Sequence, residues 1–193
     1  MIMRRPDRRG AAAGRSCREV AEPLAALLRE LADVLHAMDD EDYTRRMGPL
    51  FAGATVGGHV RHTLDHVRAL VRSVGGGGVP GPVDYDHRER GTPVETDRVC
   101  ALEEAHRLGR AVSELAGAPA SRRVAVRVMP TSDGAPVTLG STLARELSFV
   151  LSHTVHHHAT LRGMATALGR SVPEAFGYAP STLAHMEHAT CAR

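Results

Sequence analysis

From Val20 to Met38 the apolar residues Val20, Leu24, Leu27, Leu31, Leu35 and Met38 recur at spacings of three and four. Such spacing puts one apolar stripe on a helix, and the stripe must be buried against another element. The pattern returns over 55–74, over about 96–116 with Val99, Leu102, Leu108, Val112 and Leu115 inward, and over 142–168. Pro23 falls in the first turn of the first helix, where a missing N–H does no harm. Thr55 and Ser141 stand where N-caps belong, and the run of four glycines from Gly75, then Gly117 and Gly169, follow the expected helix ends. With no tryptophan, three phenylalanines and three tyrosines, the core is left to Leu, Val, Ala and Met. That composition suits packed helices better than a β-sandwich. The expected fold class is all-α, a four-helix bundle.

The segments between these helices differ in kind. VPGPVDYDHRERGTPVE, at 79–95, holds too much Pro and Gly for regular structure and reads as a long loop. RRVAVRVMPTSDGAPVTLG, at 122–140, alternates Val124, Val126 and Val128 before a turn-forming SDGAP. A small hairpin or extended excursion is expected there, before the last long helix. The C-terminal stretch adds a turn and a short helix from Ser181. Residues 1–17 read as a disordered Arg-rich tail and residues 18–193 as a single domain.

Charge and cysteine content narrow the function classes. The 24 basic residues are all arginine, the net charge is only +2, and the arginines are scattered among acids. Aromatic stacking platforms are nearly absent, which argues against nucleic acid as a partner. Cys17, Cys100 and Cys191 are far apart and odd in number, so neither a disulfide framework nor a CxxC zinc motif is present. No stretch approaches the ~20 apolar residues of a membrane span, and the basic N-terminus lacks a signal peptide's apolar run. A cytoplasmic, reducing setting is expected.

Histidine is the anomaly, with twelve in 193 residues. GGHVRHTLDHVRAL at 57–70 holds three, and LSHTVHHHATL at 151–161 holds four. At about 100° per residue, His157 falls roughly 40° from His153, His156 about 60° to one side, and His158 about 140° away. His153 and His157 therefore share a face at the i, i+4 spacing that lets two imidazoles bind one ion. His158 is expected on the surface. His62 and His66 form a second i, i+4 pair, with His59 and Asp65 on its flank, and Glu146 lies two turns before His153 on the same stripe. Two such pairs on helices with apolar neighbours fit a shared metal, since it would satisfy several buried nitrogens at once. A protease of the HExxH type is excluded, because Thr154 stands where the general-base glutamate belongs.

These runs, GGHVRHTLDHV and RELSFVLSHTVHHHA, resemble those of the DinB-like superfamily over roughly residues 20–190. That superfamily includes YfiT-like metal hydrolases and the bacillithiol and mycothiol S-transferases. The resemblance implies a four-helix bundle of up-down-down-up topology and a metal triad of His62, His153 and His157. The iron-binding domain of ergothioneine-pathway sulfoxide synthases is similar at x-L-x-H, matched by Val60 and His62, and at H-x-x-x-H. His66 remains a rival third ligand, and His59 and His156 are pocket-edge candidates. Asp65 and Glu146 could orient imidazoles, or pair with arginines instead. Arg61, Arg145, Asp86, Arg88 and Arg90 could meet a polar substrate at the bundle mouth, or form ordinary charged surface.

The function expected from this resemblance is metal-dependent activation of a low-molecular-weight thiol, as in an S-transferase, or of water, as in a hydrolase. The alternative is a non-catalytic metal-binding stress or interaction protein. The expected cofactor is a divalent ion, zinc or nickel first and iron next, with a low-molecular-weight thiol as a co-substrate. The expected partner is a small-molecule substrate, not a membrane or nucleic acid, and a homodimer through exposed helix faces is allowed. VDYDHRER and FGYAPST are given no role.

Overall fold

The computed structural model describes residues 15–75, 81–87 and 89–191. Most of the expected tail, residues 1–14, lies outside them, as does Arg88. Ser16 pairs with Pro119 in an isolated bridge, and Cys17 is fully buried at the start of the first helix.

The long helices are α1 (Arg18–His36), α3 (Val56–Val74), α5 (Arg98–Glu114) and α6 (Leu143–Ala167). Between and after them come α2 (Asp40–Thr44), α4 (Pro93–Thr96) and α7 (Pro180–Cys191). α1 and α3 each pack on both α5 and α6, so the core lies between the four long helices. α1 buries Ala21, Leu24, Ala25, Leu28, Leu31, Ala32 and Leu35, so Leu28 replaces the expected Leu27 in the core. On α5 the buried face is Ala101, Ala105, Leu108, Gly109 and Val112. Small residues let α1 come close there, and Val99, expected inward, is 52% exposed.

The expectation of an all-α, up-down-down-up four-helix bundle is corrected by a three-stranded mixed sheet among the described residues, beside seven α-helices. β2 (Arg123–Val128) pairs antiparallel with β3 (Val137–Thr142), with Val126 opposite Leu139. β1 (Val83–Asp84) pairs parallel with β2, with Val83 opposite Val126. The alternation of β2 is the physical reason: Val126 is buried with Val124 and Val128 beside it, while Arg123, Ala125 and Arg127 face outward. β1 is two residues from the Pro/Gly-rich segment, too short to carry a period of its own.

Side-chain caps fix the helix starts. Thr55 accepts the Gly58 N–H at 2.9 Å and so opens α3. α6 is capped by Thr142, whose side chain accepts from Arg145, and not by the expected Ser141. The acidic run after α1 does not merely end that helix. Asp39 accepts the Asp42 N–H at 2.9 Å and starts α2.

Candidate metal centre

The α3 cap sets the phase of His59, His62 and His66, and the α6 cap sets that of His153, His157 and His158. The two helices pack against each other and bring His62 beside the α6 pair. Ring centroids are 5.0 Å apart for His62 and His153, 4.6 Å for His62 and His157, and 4.4 Å for His153 and His157. One nitrogen from each ring lies within 4.8 Å of the others, a grouping that could hold a metal ion. Each donor is an imidazole, a ligand type that suits zinc, nickel, copper and iron.

His66 sits one turn further along α3, outside that grouping. It is buried, and its Nδ1 lies 3.0 Å from the His62 carbonyl, which can only accept. That contact fixes the Nδ1–H tautomer. The His66 ring stacks on His153 at 3.8 Å and on Tyr85 at 5.4 Å. His59 is half-buried, with Nδ1 3.4 Å from Nδ1 of His157. Burial, then neighbouring His156, lowers its pKa, so His59 favours the neutral form. His156 is exposed.

His158 departs from expectation. It does point away from the His153 face, but it is fully buried and stacks on Phe176 at 4.5 Å. Burial, then neighbouring His157, pushes its pKa down to about 3. A helical wheel gives direction only, and here the 174–178 segment covers the outward direction.

The carboxylates are engaged elsewhere. Glu146 is buried and accepts from Tyr85 Oη at 2.9 Å and Ser141 Oγ at 2.5 Å. It therefore bears on the imidazoles through the Tyr85 ring stacked on His66. Asp65 pairs with Arg68 and, at 3.9 Å, with Arg61. Burial raises the Asp65 pKa in spite of the arginines that lower it. Of the residues expected at a bundle mouth, Arg61 is buried, reaching the Glu89 carbonyl at 3.3 Å and Glu95 at 3.4 Å. Arg90 and Arg145 are exposed, and Asp86 accepts the Met129 N–H at 2.7 Å.

A cavity of about 490 Å³ adjoins the histidines, lined by Arg46, His59, Arg61, His62, Glu95 and His157 among others. A ligand in it would meet two of the three imidazoles and a mixture of charges. Glu95 and Tyr85 were not anticipated from the sequence. Both come from the segment read as an irregular loop, where no periodicity points to a site. No helix of the described residues is long and apolar enough to cross a membrane.

Comparison with known proteins corrects the family reading. No family model matches the chain, and no solved structure does. A curated relative is FK506-binding protein 5 of Rhizopus delemar, 32% identical over 106 residues. The match takes in 54% of this chain, and the chain spans 28% of the relative's length. That relative does not belong to the DinB-like superfamily, so the expected membership is set aside. With it go the expected S-transferase and hydrolase activities and the stress-protein alternative, which rested on that resemblance. What this chain is similar to, over about half its length, is a protein named for binding FK506.

Proposed function

We propose that this protein binds one divalent transition-metal ion through His62, His153 and His157. The observation that carries the reading is the convergence of three imidazoles from α3 and α6, with ligand atoms within 4.8 Å of one another. Zinc and nickel suit such a donor set, and iron is a further choice. Three protein ligands leave a coordination position open, and the adjoining cavity gives a small molecule access to it. When bound, the ion supplies a Lewis-acid position for a low-molecular-weight thiol or another small Lewis base. His59, at 3.4 Å, restrains the His157 ring, as partners of ligating imidazoles do. The Arg61–Glu95 pair shapes the cavity wall. The proposed setting is cytoplasmic, consistent with free thiols at Cys17 and Cys100.

Elemental analysis and zinc titration of the full chain test this. Wild type is expected to take up one equivalent, and His62→Ala and His153→Ala to bind at least about 100-fold more weakly, since each loses one of three ligands. Absence of zinc or nickel binding by wild type, or unchanged affinity in both variants, overturns the reading.

A second reading rests on the relative. Its 32% identity supports FK506 binding, and with it peptidyl-prolyl isomerase activity. Titration with FK506 and a prolyl-peptide isomerisation assay test that reading separately. Neither assay needs the histidines.

A further inference from the structure

A second cavity, of about 210 Å³, lies on the far side of α6. Leu151, Val155 and His158 face it from α6, at roughly 140–200° from His153 at about 100° per residue. Pro23, Ala26 and Leu27 of α1 form another wall, and Tyr178 and Leu183 close it. Most of this lining is apolar.

Its third wall is FGYAPST, and that segment is held firmly. Gly177 has φ +79°, and a Cβ there would come within 2.8 Å of the backbone of His158 and Ala159. The segment thus lies directly on α6. Arg162 ties it down, donating to the Glu174 carbonyl at 2.6 Å and the Phe176 carbonyl at 3.1 Å. The same guanidinium lies over the Tyr178 ring at 4.5 Å. Phe176 is buried against His158.

Set into this mainly apolar surround is the His158 imidazole, with Glu30 and Tyr178 also in the lining. Both ring nitrogens of His158 are shut off from solvent and lack a hydrogen-bond partner among the described residues. Buried polar atoms are nearly always paired, so the imidazole is short of a partner, and it is part of the cavity's lining. Apolar cavities of about 150 Å³ take a benzene-sized molecule. We propose that this cavity binds a small, uncharged, mainly apolar molecule whose hydroxyl or amide group pairs with His158. A carboxylate is disfavoured by Glu30 at the rim and by the cost of burying its charge in apolar surroundings. The inference stands apart from the metal reading, because the two sites lie on opposite faces of α6.

Phenol and benzene serve as probes in a methyl NMR titration of the full chain. Phenol is expected to shift the Leu151, Val155 and Leu183 methyls saturably, and to bind at least about fivefold more tightly than benzene, the margin of one hydrogen bond. His158→Phe keeps the stack on Phe176 and should erase the preference for phenol while leaving benzene within about twofold. Ala26→Phe puts a ring in the cavity and should abolish both. Any one of three results overturns the inference: no saturable shift, shifts centred on the His59 side, or an unchanged preference in His158→Phe. Should a variant fail to fold, the ratio of phenol to benzene affinity in wild type still decides.

Discussion

His157 and His158 are neighbours in the chain, yet their surroundings share little. His157 lies among His59, His62 and His153 and borders a cavity with Arg46, Arg61 and Glu95 on its walls. His158 lies against Phe176 and borders a mainly apolar cavity with Glu30 at its rim. One face of α6 gathers nitrogens that can share an ion, and the other isolates a single imidazole in apolar surroundings. A histidine's use is thus decided by what the neighbouring elements bring to it. Density of histidines along the chain says little, since the third imidazole of the grouped set comes from α3.

A glycine on each side offers the strongest way to break the comparison. Gly57 of α3 supports the three-imidazole side, because α4 crosses directly over it. A Cβ at Gly57 would collide with the Glu95 carbonyl and lie 2.8 Å from the Tyr43 ring. Tyr43 holds α4 in place by donating to the Val94 carbonyl at 2.6 Å. Gly57→Ala should therefore destabilise by about 3 kcal/mol or more, and it should disturb zinc binding by displacing Glu95. Gly177→Ala should destabilise by about 2–3 kcal/mol, through a left-handed backbone and contact with α6. It should weaken phenol binding and leave zinc affinity alone. Urea denaturation measures the first effect, and the two ligand titrations measure the separation. If either glycine variant harms both sites equally, the two faces are one unit.

His158→Phe sharpens the contrast at a single position. Removing two unpaired buried nitrogens while keeping the ring stack should stabilise the fold by about 1–2 kcal/mol. At the three-imidazole face the same change removes a proposed ligand, so His153→Phe should lose zinc binding. A His158→Phe variant less stable than wild type in urea would show that the imidazole makes a favourable polar contact after all.

The long helices were legible because they combine period, cap and stop. The expected 55–74 and 142–168 compare with Val56–Val74 and Leu143–Ala167. Short elements were not legible: α2, α4 and β1 are five, four and two residues, below the length at which periodicity exists. Spacing also placed His153 and His157 on one face, but it does not choose between His62 and His66. That choice depends on the facing of α3 towards α6, which groups a nitrogen of His62 with those of His153 and His157. His158 was misread because its cover, Phe176, lies eighteen residues on, in a segment with no period. Leu28 was missed because Leu27 and Leu28 both stand three or four residues from Leu24 and Leu31, and only the approach of Gly109 on α5 to Leu28 chooses between them.

The smallest predicted effect concerns charge, which the two sides also divide unequally. Beside the three-imidazole face, α3 presents Asp65 and Arg68, and Glu104 of α5 completes the set, accepting from Arg68 at 2.8 Å and Arg107 at 2.6 Å. No ion pair among the described residues involves a wall residue of the apolar cavity. Burial raises the Glu104 pKa, but hydrogen bonds from Arg107 and Arg68 outweigh it and hold the carboxyl below the usual glutamate range. A depressed folded-state pKa means that the unfolded chain binds the proton more readily. The stabilisation is therefore complete above the unfolded glutamate pKa, ~4.3, and is lost as pH falls through the folded value. Solvent screening keeps it small, about 0.5 kcal/mol. Glu104→Gln should lower stability by that amount at pH 7 and by nothing measurable at pH 2–3, read from urea midpoints at the two pH values. An equal deficit at both would place the contribution of Glu104 in packing and not in its charge.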